Sequence, residues 1–291
     1  MPTNAAGPLL VIGAAVLWGT TGTSQALAPA GASPLSVGAA RIAVGGLALL
    51  ALAYARGGFR DGARWDRRWT ALAVISTALY QVTFFGGARL AGVAVGTVIA
   101  LGSAPAFAGV LGVLLNGERP TGRWVAATVC AVIGCVLLAL GDGAGARVSP
   151  IGVLLALGAG LSYAAFTAAN KHLLADHTAD EVMAVSFCAG AVLLAPLLFL
   201  TDVRWIASVG GAVVVIHLGL IATGLSYALF GRGLRTVPVA VAGTLSLAEP
   251  LTATLLGVLL LREQVPAAGW AGMALIFGGL LLLAVRRPGK R

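Results

Sequence analysis

Charge is scarce in this chain. Only 10% of its 291 residues are Asp, Glu, Lys or Arg, against about 25% in an average soluble domain. A conventional water-soluble fold of this length is therefore excluded. The few charges are lopsided, 19 basic against 10 acidic, with just two lysines among them. A net charge of +9 would suit nucleic acid if it gathered on one surface. Here the basic residues fall between apolar runs, so no nucleic-acid partner is expected. Cysteine is equally sparse. Cys130, Cys135 and Cys188 lie inside apolar runs without CxxC or His–Cys spacing, which leaves no framework for a metal, and no cofactor is expected. Also missing are an HExxH, an intramembrane GxGD, paired Asp residues in facing spans and a P-loop. His217 has no companions for a Ser-centred triad. An enzyme and an ATP-driven pump both lack their chemistry.

What the chain does have is apolar length. Some 59% of residues are hydrophobic and 41 are glycine. Runs of roughly 20 apolar residues recur from end to end, the length that crosses about 30 Å of hydrocarbon. Ten spans are expected near 8–28, 34–55, 69–88, 92–115, 122–140, 150–171, 181–200, 207–231, 238–261 and 266–285. They are long and uniformly apolar, not ten-residue alternations, so the expected class is an all-α membrane protein and not a barrel. The first run ends in Ala26-Leu27-Ala28, which resembles a signal-peptidase site. No Lys or Arg precedes it, however, and it carries Trp18, Thr20, Thr21 and Gln25, so it is expected to remain as a span.

Basic residues set the orientation. With the N-terminus in the cytoplasm, fourteen basic residues fall inside: Arg56, Arg60, Arg64, Arg67, Arg68, Arg119, Arg123, Lys171, Arg232, Arg235, Arg286, Arg287, Lys290 and Arg291. Four fall outside (Arg89, Arg147, Arg204 and Arg262), and Arg41 lies within a span. That bias predicts a multi-pass protein with both termini cytoplasmic. Arginine far outnumbers lysine and Ala and Gly abound, which fits a GC-rich bacterial genome and a bacterial inner membrane.

The chain is also written twice. Gly96–Glu118 and Val241–Glu263 share a proline, an acid and the identical string LGVLL, each pair separated by 145 residues. The same offset pairs Gly13 with Gly158, Trp18 with Tyr163, Phe85 with Phe230, Gly86 with Gly231 and Gly134 with Gly279. Each half holds five spans, and an odd number turns the second half upside down in the membrane. Two inverted five-helix repeats around a central cavity are expected, with substrate near the midplane. The expected division is 1–140 for the first repeat, 141–149 for a polar Gly-rich linker and 150–291 for the second.

These residues resemble a known family. The run VIGAAVLWGTTGTSQAL, the second span from Pro34 to Arg41, and the paired segments Pro105–Glu118 and Pro250–Glu263 are similar to EamA-type members of the drug/metabolite transporter superfamily. Each paired segment is followed by a Trp- and Gly-rich helix. The resemblance covers essentially the whole chain. It implies ten helices in two inverted halves, a cavity open to one side at a time, and movement of small metabolites, often export. It does not fix a substrate.

A twofold repeat can build a scaffold, but a small asymmetric substrate cannot obey it. Positions whose repeat mates differ in polarity are the better site candidates. Glu249 has Ala104 as its mate, Arg41 has Ser186 and His217 has Leu72. Eleven residues beyond Pro238, Glu249 lies roughly 16 Å deep, near the midplane. Such a carboxylate costs about 2.5–3.5 kcal/mol on insertion scales, so it should face a cavity or a partner. It reads as a ligand for an amine, a proton-coupling group, or a structural acid tied to Ser246. Pro250 removes an amide beside it and is expected to disturb its helix. Arg41, roughly 10 Å deep from the other side, is within reach of Glu249 in height. It reads as an ion-pair or zwitterion partner, or as a side chain that snorkels outward. His217 reads as a core histidine or a proton relay.

Trp18, Thr21 and Gln25 form one helical stripe and their mates Tyr163, Phe166 and Asn170 another. Both suit a cavity wall, or simple packing. Tyr80, Phe84, Tyr227 and Phe230 could add a π-rich box for a cation, and Ser103 stands just before Pro105 as a counterpart of Glu249. Glu118 and Glu263 end their helices as structural or gating contacts. Gly109, Gly112, Gly134, Gly257, Gly278 and Gly279 are expected to let helices approach closely. Together these residues point to secondary transport of small polar or amphipathic metabolites by alternating access, with amino acids or related amines exported. A carrier of quaternary-ammonium drugs that uses Glu249 and the aromatics is the alternative. The lipid bilayer and a small-molecule substrate are the expected partners, protons a candidate coupling ion, and the oligomeric state is open.

Overall fold

Helix is the only regular structure among the described residues, because a backbone inside hydrocarbon must satisfy its own polar groups. A computed structural model describes residues 6–60, 62–141, 149–262 and 264–284. Glu263, Arg147, most of the linker and the C-terminal basic cluster of the sequence reading lie outside the described residues. The helices are α1 Ala6–Ala26, α2 Pro34–Ala55, α3 Arg67–Ala91, α4 Val93–Asn116, α5 Gly122–Gly141, α6 Pro150–Leu173 and α7 Ala179–Leu200. There follow α8 Val209–Leu234, α9 in two pieces, Val239–Leu245 and Ala248–Leu261, and α10 Ala267–Ala284. Nine of these spans are long and apolar enough to cross a membrane. α5, at 20 residues, is about 30 Å long.

Helix starts are written locally. Ser33 accepts the Ser36 N–H with Pro34 at the first position of α2, and Asp66 accepts the Arg68 and Trp69 N–H groups that open α3. Thr178 and Glu181 form a capping box at α7. Many large apolar side chains point outward, such as Leu114, Leu154, Phe199 and Leu259, while alanine is the commonest buried residue of an interior that also holds Phe187, Phe230 and Leu49. That inside-out arrangement is what lipid-facing helices require.

The packing partners obey the inverted repeat. α2 lies on α7, α5 on α10 and α4 on α9, each pair mapping onto itself when the halves exchange. α3–α6 maps onto α1–α8, and α4–α6 maps onto α1–α9. Glycine lets α5 and α10 touch backbone to backbone. A Cβ on Gly134 would fall 2.6 Å from Gly272 O, and one on Gly272 would fall 2.5 Å from Gly134 O. Gly109 instead seats the ring of Trp124, and Gly278 faces open space, so the expected role in helix contact does not extend to Gly278.

Two helices in the second half are irregular. Residues His217–Leu225 of α8 are π-helical, with Thr223 Oγ1 donating to Leu218 O five residues back at 2.8 Å. α9 breaks at Ser246–Leu247 because Pro250 has no N–H for the Ser246 carbonyl, which accepts Glu249 N–H at 2.9 Å instead. Its repeat mate Pro105 leaves α4 continuous.

Candidate functional site

A cavity of about 880 Å³ lies between the two halves. It reaches the surface at the end of the bundle where α1 finishes and α4 and α10 begin, past Gln25, Val93 and Pro266. Its floor, near the middle of the helices, is made by Tyr163, Tyr227, Gly243, Ser246, Leu247 and Glu249. The break in α9 places Glu249 there, on the first turn of the second helical piece. Gly19 makes the approach of α1 possible, since a Cβ at that point would lie 2.8 Å from Glu249 O and 2.6 Å from Thr252. Among the described residues, no side chain or backbone amide hydrogen-bonds the Glu249 carboxylate, and the recorded ion pairs join Asp180 to Arg56 and Arg232 instead.

Arg41 enters the cavity wall from α2. Its Nη2 donates to Gln81 Oε1 at 3.3 Å, and Gln81 is itself buried on α3. Among the described residues the Arg41 Nε has no partner, nor do Thr21 Oγ1 and Gln25 Nε2 on the same cavity wall. Polar groups withdrawn from water without partners cost roughly 1–3 kcal/mol each, so this side of the cavity offers unspent donors. The aromatic wall is partly fixed. Trp18 Nε1 donates to Ser226 Oγ at 2.9 Å, its ring stands 4.9 Å from Tyr227 and 6.2 Å from Tyr163, and the Tyr163 hydroxyl is bonded to Ser246. Tyr80 and Phe84 stack at 5.5 Å on the opposite wall.

Of the residues read from sequence, Trp18, Thr21, Gln25, Arg41, Tyr80, Phe84, Tyr163, Tyr227 and Glu249 line this cavity. Four others do not. Phe166 packs beneath the floor against Phe187, Tyr227 and Phe230. Asn170 is fully buried, accepting from Ser186 Oγ at 2.8 Å and donating to Phe166 O at 2.7 Å. Inversion is the reason: from Trp18 the α1 stripe climbs toward the open end, whereas from Tyr163 the α6 stripe descends toward the closed one. Ser103 is pressed into the α4–α6 contact, its Oγ 2.3 Å from where a Gly160 Cβ would lie, so it is no counterpart of Glu249. His217 pairs with Thr20 Oγ1 at 3.0 Å away from the cavity. Phe230, expected in the aromatic box, is fully buried behind Trp18. Gln81, Thr97, Thr254 and Gln264 were not singled out from sequence, though each is a polar residue in or beside a span.

The family model for EamA-like transporters matches residues 5–140 and again 150–285. The chain is 44% identical over 276 residues to the uncharacterized transporter YwfM of Bacillus subtilis, covering 95% of this chain and 93% of that one. It is 28% identical to a probable terminal-alkyne amino-acid exporter of Streptantibioticus cattleyicolor over 65% of this chain and 63% of that one. With a probable amino-acid metabolite efflux pump of Escherichia coli it shares 24% identity over 60% of this chain and 62% of that one. A solved crystal structure superimposes with a TM-score of 0.84 at 24% identity, covering 96% of both chains, which shows the fold. With both halves matched in turn and a full-length relative at this identity, the chain belongs to the EamA-like transporter family, within the drug/metabolite transporter superfamily.

Proposed function

We propose that this transporter works by alternating access as a secondary carrier and exports amino acids or related amine compounds across a bacterial inner membrane. The observation that carries the proposal is an unpartnered carboxylate, Glu249, at the floor of a cavity whose wall presents Arg41 and aromatic rings. An ammonium meets the acid and the faces of Tyr163 and Tyr227, and a carboxylate meets the guanidinium and the free donors near it. Names of two relatives, an amino-acid exporter and an amino-acid metabolite efflux pump, point the same way. The excess of basic residues in the loops supports a cytoplasmic closed end and cytoplasmic termini, with the cavity facing outward. The repeats correspond to 1–140 and 150–291, joined by 141–149. Protons are the proposed coupling ion, carried on Glu249.

A quaternary-ammonium carrier is the second reading, favoured by six aromatic residues, Trp18, Tyr80, Phe84, Phe85, Tyr163 and Tyr227, in the cavity lining with one acid. Counterflow in proteoliposomes separates the two. Preloaded unlabelled amino acids should drive entry of labelled amino acid; exchange confined to permanently charged organic cations would overturn the first reading.

A further inference from the structure

The cavity is blind at the end of the bundle that holds Glu118 and Lys171. There the connection from α8 to α9 is gripped from two sides by side chains of opposite charge. Glu118 Oε1 accepts the Val239 N–H at 2.6 Å and Oε2 accepts the Ala240 N–H at 3.2 Å. These are first-turn amides of α9, which have no partner within the helix. Lys171 Nζ donates to Leu234 O at 2.6 Å, Arg235 O at 3.1 Å and Val237 O at 3.0 Å. Each charge thus meets the helix end of complementary sign.

The local chain is shaped for this grip. Gly117 takes a left-handed conformation at φ 65°, and Glu118 N–H donates back to Gly112 O at 2.9 Å. The turn lays the carboxylate over Gly112, where a Cβ would stand 2.5 Å from Oε2. Asn116 Nδ2 donates to Ala168 O at 3.3 Å, which ties the ends of α4 and α6 into one platform. That platform packs with α3, whereas α8 packs with α1, α2 and α7. The three Lys171 bonds therefore cross between two groups of helices, and the two Glu118 bonds hold the start of α9 on α4, on the closed side of the floor.

We infer that Glu118 and Lys171 are the lock of the closed gate, and that both must release the 234–240 connection before the cavity can open to that side. The inference rests on the alternating-access part of the proposed function and is independent of what is carried. Charge-assisted bonds are roughly twice as strong as neutral ones, so weakening either group should raise the open population of this end about tenfold or more.

Spin-label distances test it. One pair of labels, at Arg119→Cys and Thr236→Cys, spans the lock; another, at Leu27→Cys and Leu90→Cys, spans the open end. Both pairs are placed in proteoliposomes after replacement of Cys130, Cys135 and Cys188 by Ser. The parent should show one dominant short distance across the lock. Glu118→Gln and Lys171→Gln should each bring up a longer distance there and a shorter one at the open end. Parent-like distributions in both variants overturn the inference, whatever happens to transport. If a variant fails to reach the membrane, Glu118→Asp, which keeps the charge but falls one methylene short, must give the same shift. Shifted distances without counterflow of any amine would uphold the lock and overturn the proposed substrate.

Discussion

In the proposed mechanism one carboxylate on the cavity floor, Glu249, sets the chemistry at the residue scale. Among the described residues no protein group hydrogen-bonds the Glu249 carboxylate, which in the proposed mechanism leaves it free to meet an amine or to carry a proton. A charge-assisted contact is worth about 1.5–3 kcal/mol. Glu249→Gln should therefore raise KM for an amine substrate by roughly tenfold to a hundredfold, since 1.4 kcal/mol is a factor of ten. It should also flatten the dependence of uptake on an imposed pH gradient; a gradient response equal to the parent's would remove Glu249 from coupling. Gln81→Leu separates orientation from charge. Arg41 keeps its guanidinium but loses the partner at 3.3 Å, so affinity for carboxylate-bearing substrates should fall several-fold while the pH response stays. The two residues were unequally legible. Glu249 and Arg41 announce themselves as charges in apolar runs with uncharged repeat mates. Gln81 does not, because its mate is Ser226 and its meaning depends on a side chain 40 positions away.

Elements carry the directionality. Inversion means that mated stripes run toward opposite ends, so one state can expose only one of them. The helical stripe of Tyr163, Phe166 and Asn170 was readable in the sequence, but which end is open was not, since both states use the same residues. Asn170→Cys is accordingly expected to resist a membrane-impermeant thiol reagent in the state seen here and to react from the cytoplasmic side when Glu118→Gln opens the lock. Reaction from the outside would contradict the geometry. The break in α9 was legible from Pro250, yet the same rule applied to Pro105 would have broken α4, which stays whole. Packing does not explain the difference, since α4 is clasped by α6 at Ser103 and Gly160, the second piece of α9 by α1 at Gly19, and both border the cavity. Pro250→Ala restores an amide donor for Ser246 O and should draw Glu249 out of the floor. Transport should fall while the melting temperature in detergent rises or holds. Close contact elsewhere is less forgiving. Gly134→Val drives a side chain into the backbone of α10, and overpacking of this kind costs about 1–3 kcal/mol, read as a lower melting temperature.

For the whole molecule, sidedness follows from counting. In the proposed topology an even number of spans puts both chain ends on one face of the membrane, and the excess of fourteen basic residues over four favours the cytoplasmic face. The choice assigns the lock residues to the cytoplasm and the mouth at Gln25 and Gln264 to the outside, so every directional statement above depends on it. Single cysteines at Arg60, in the α2–α3 connection, and at Gln264, before α10, read the two faces independently in intact cells. Arg60→Cys should be shielded from an impermeant maleimide until the membrane is permeabilised, and Gln264→Cys should react at once. The reverse pattern would leave the fold, the cavity and the lock as they are but turn the transporter over: the state described would then face the cytoplasm, and Glu118 and Lys171 would guard the outer gate. Protection of both sites, or reaction at both, would mean an odd number of crossings between residues 60 and 264 fails to hold, and inverted repeats could not be the basis of the fold.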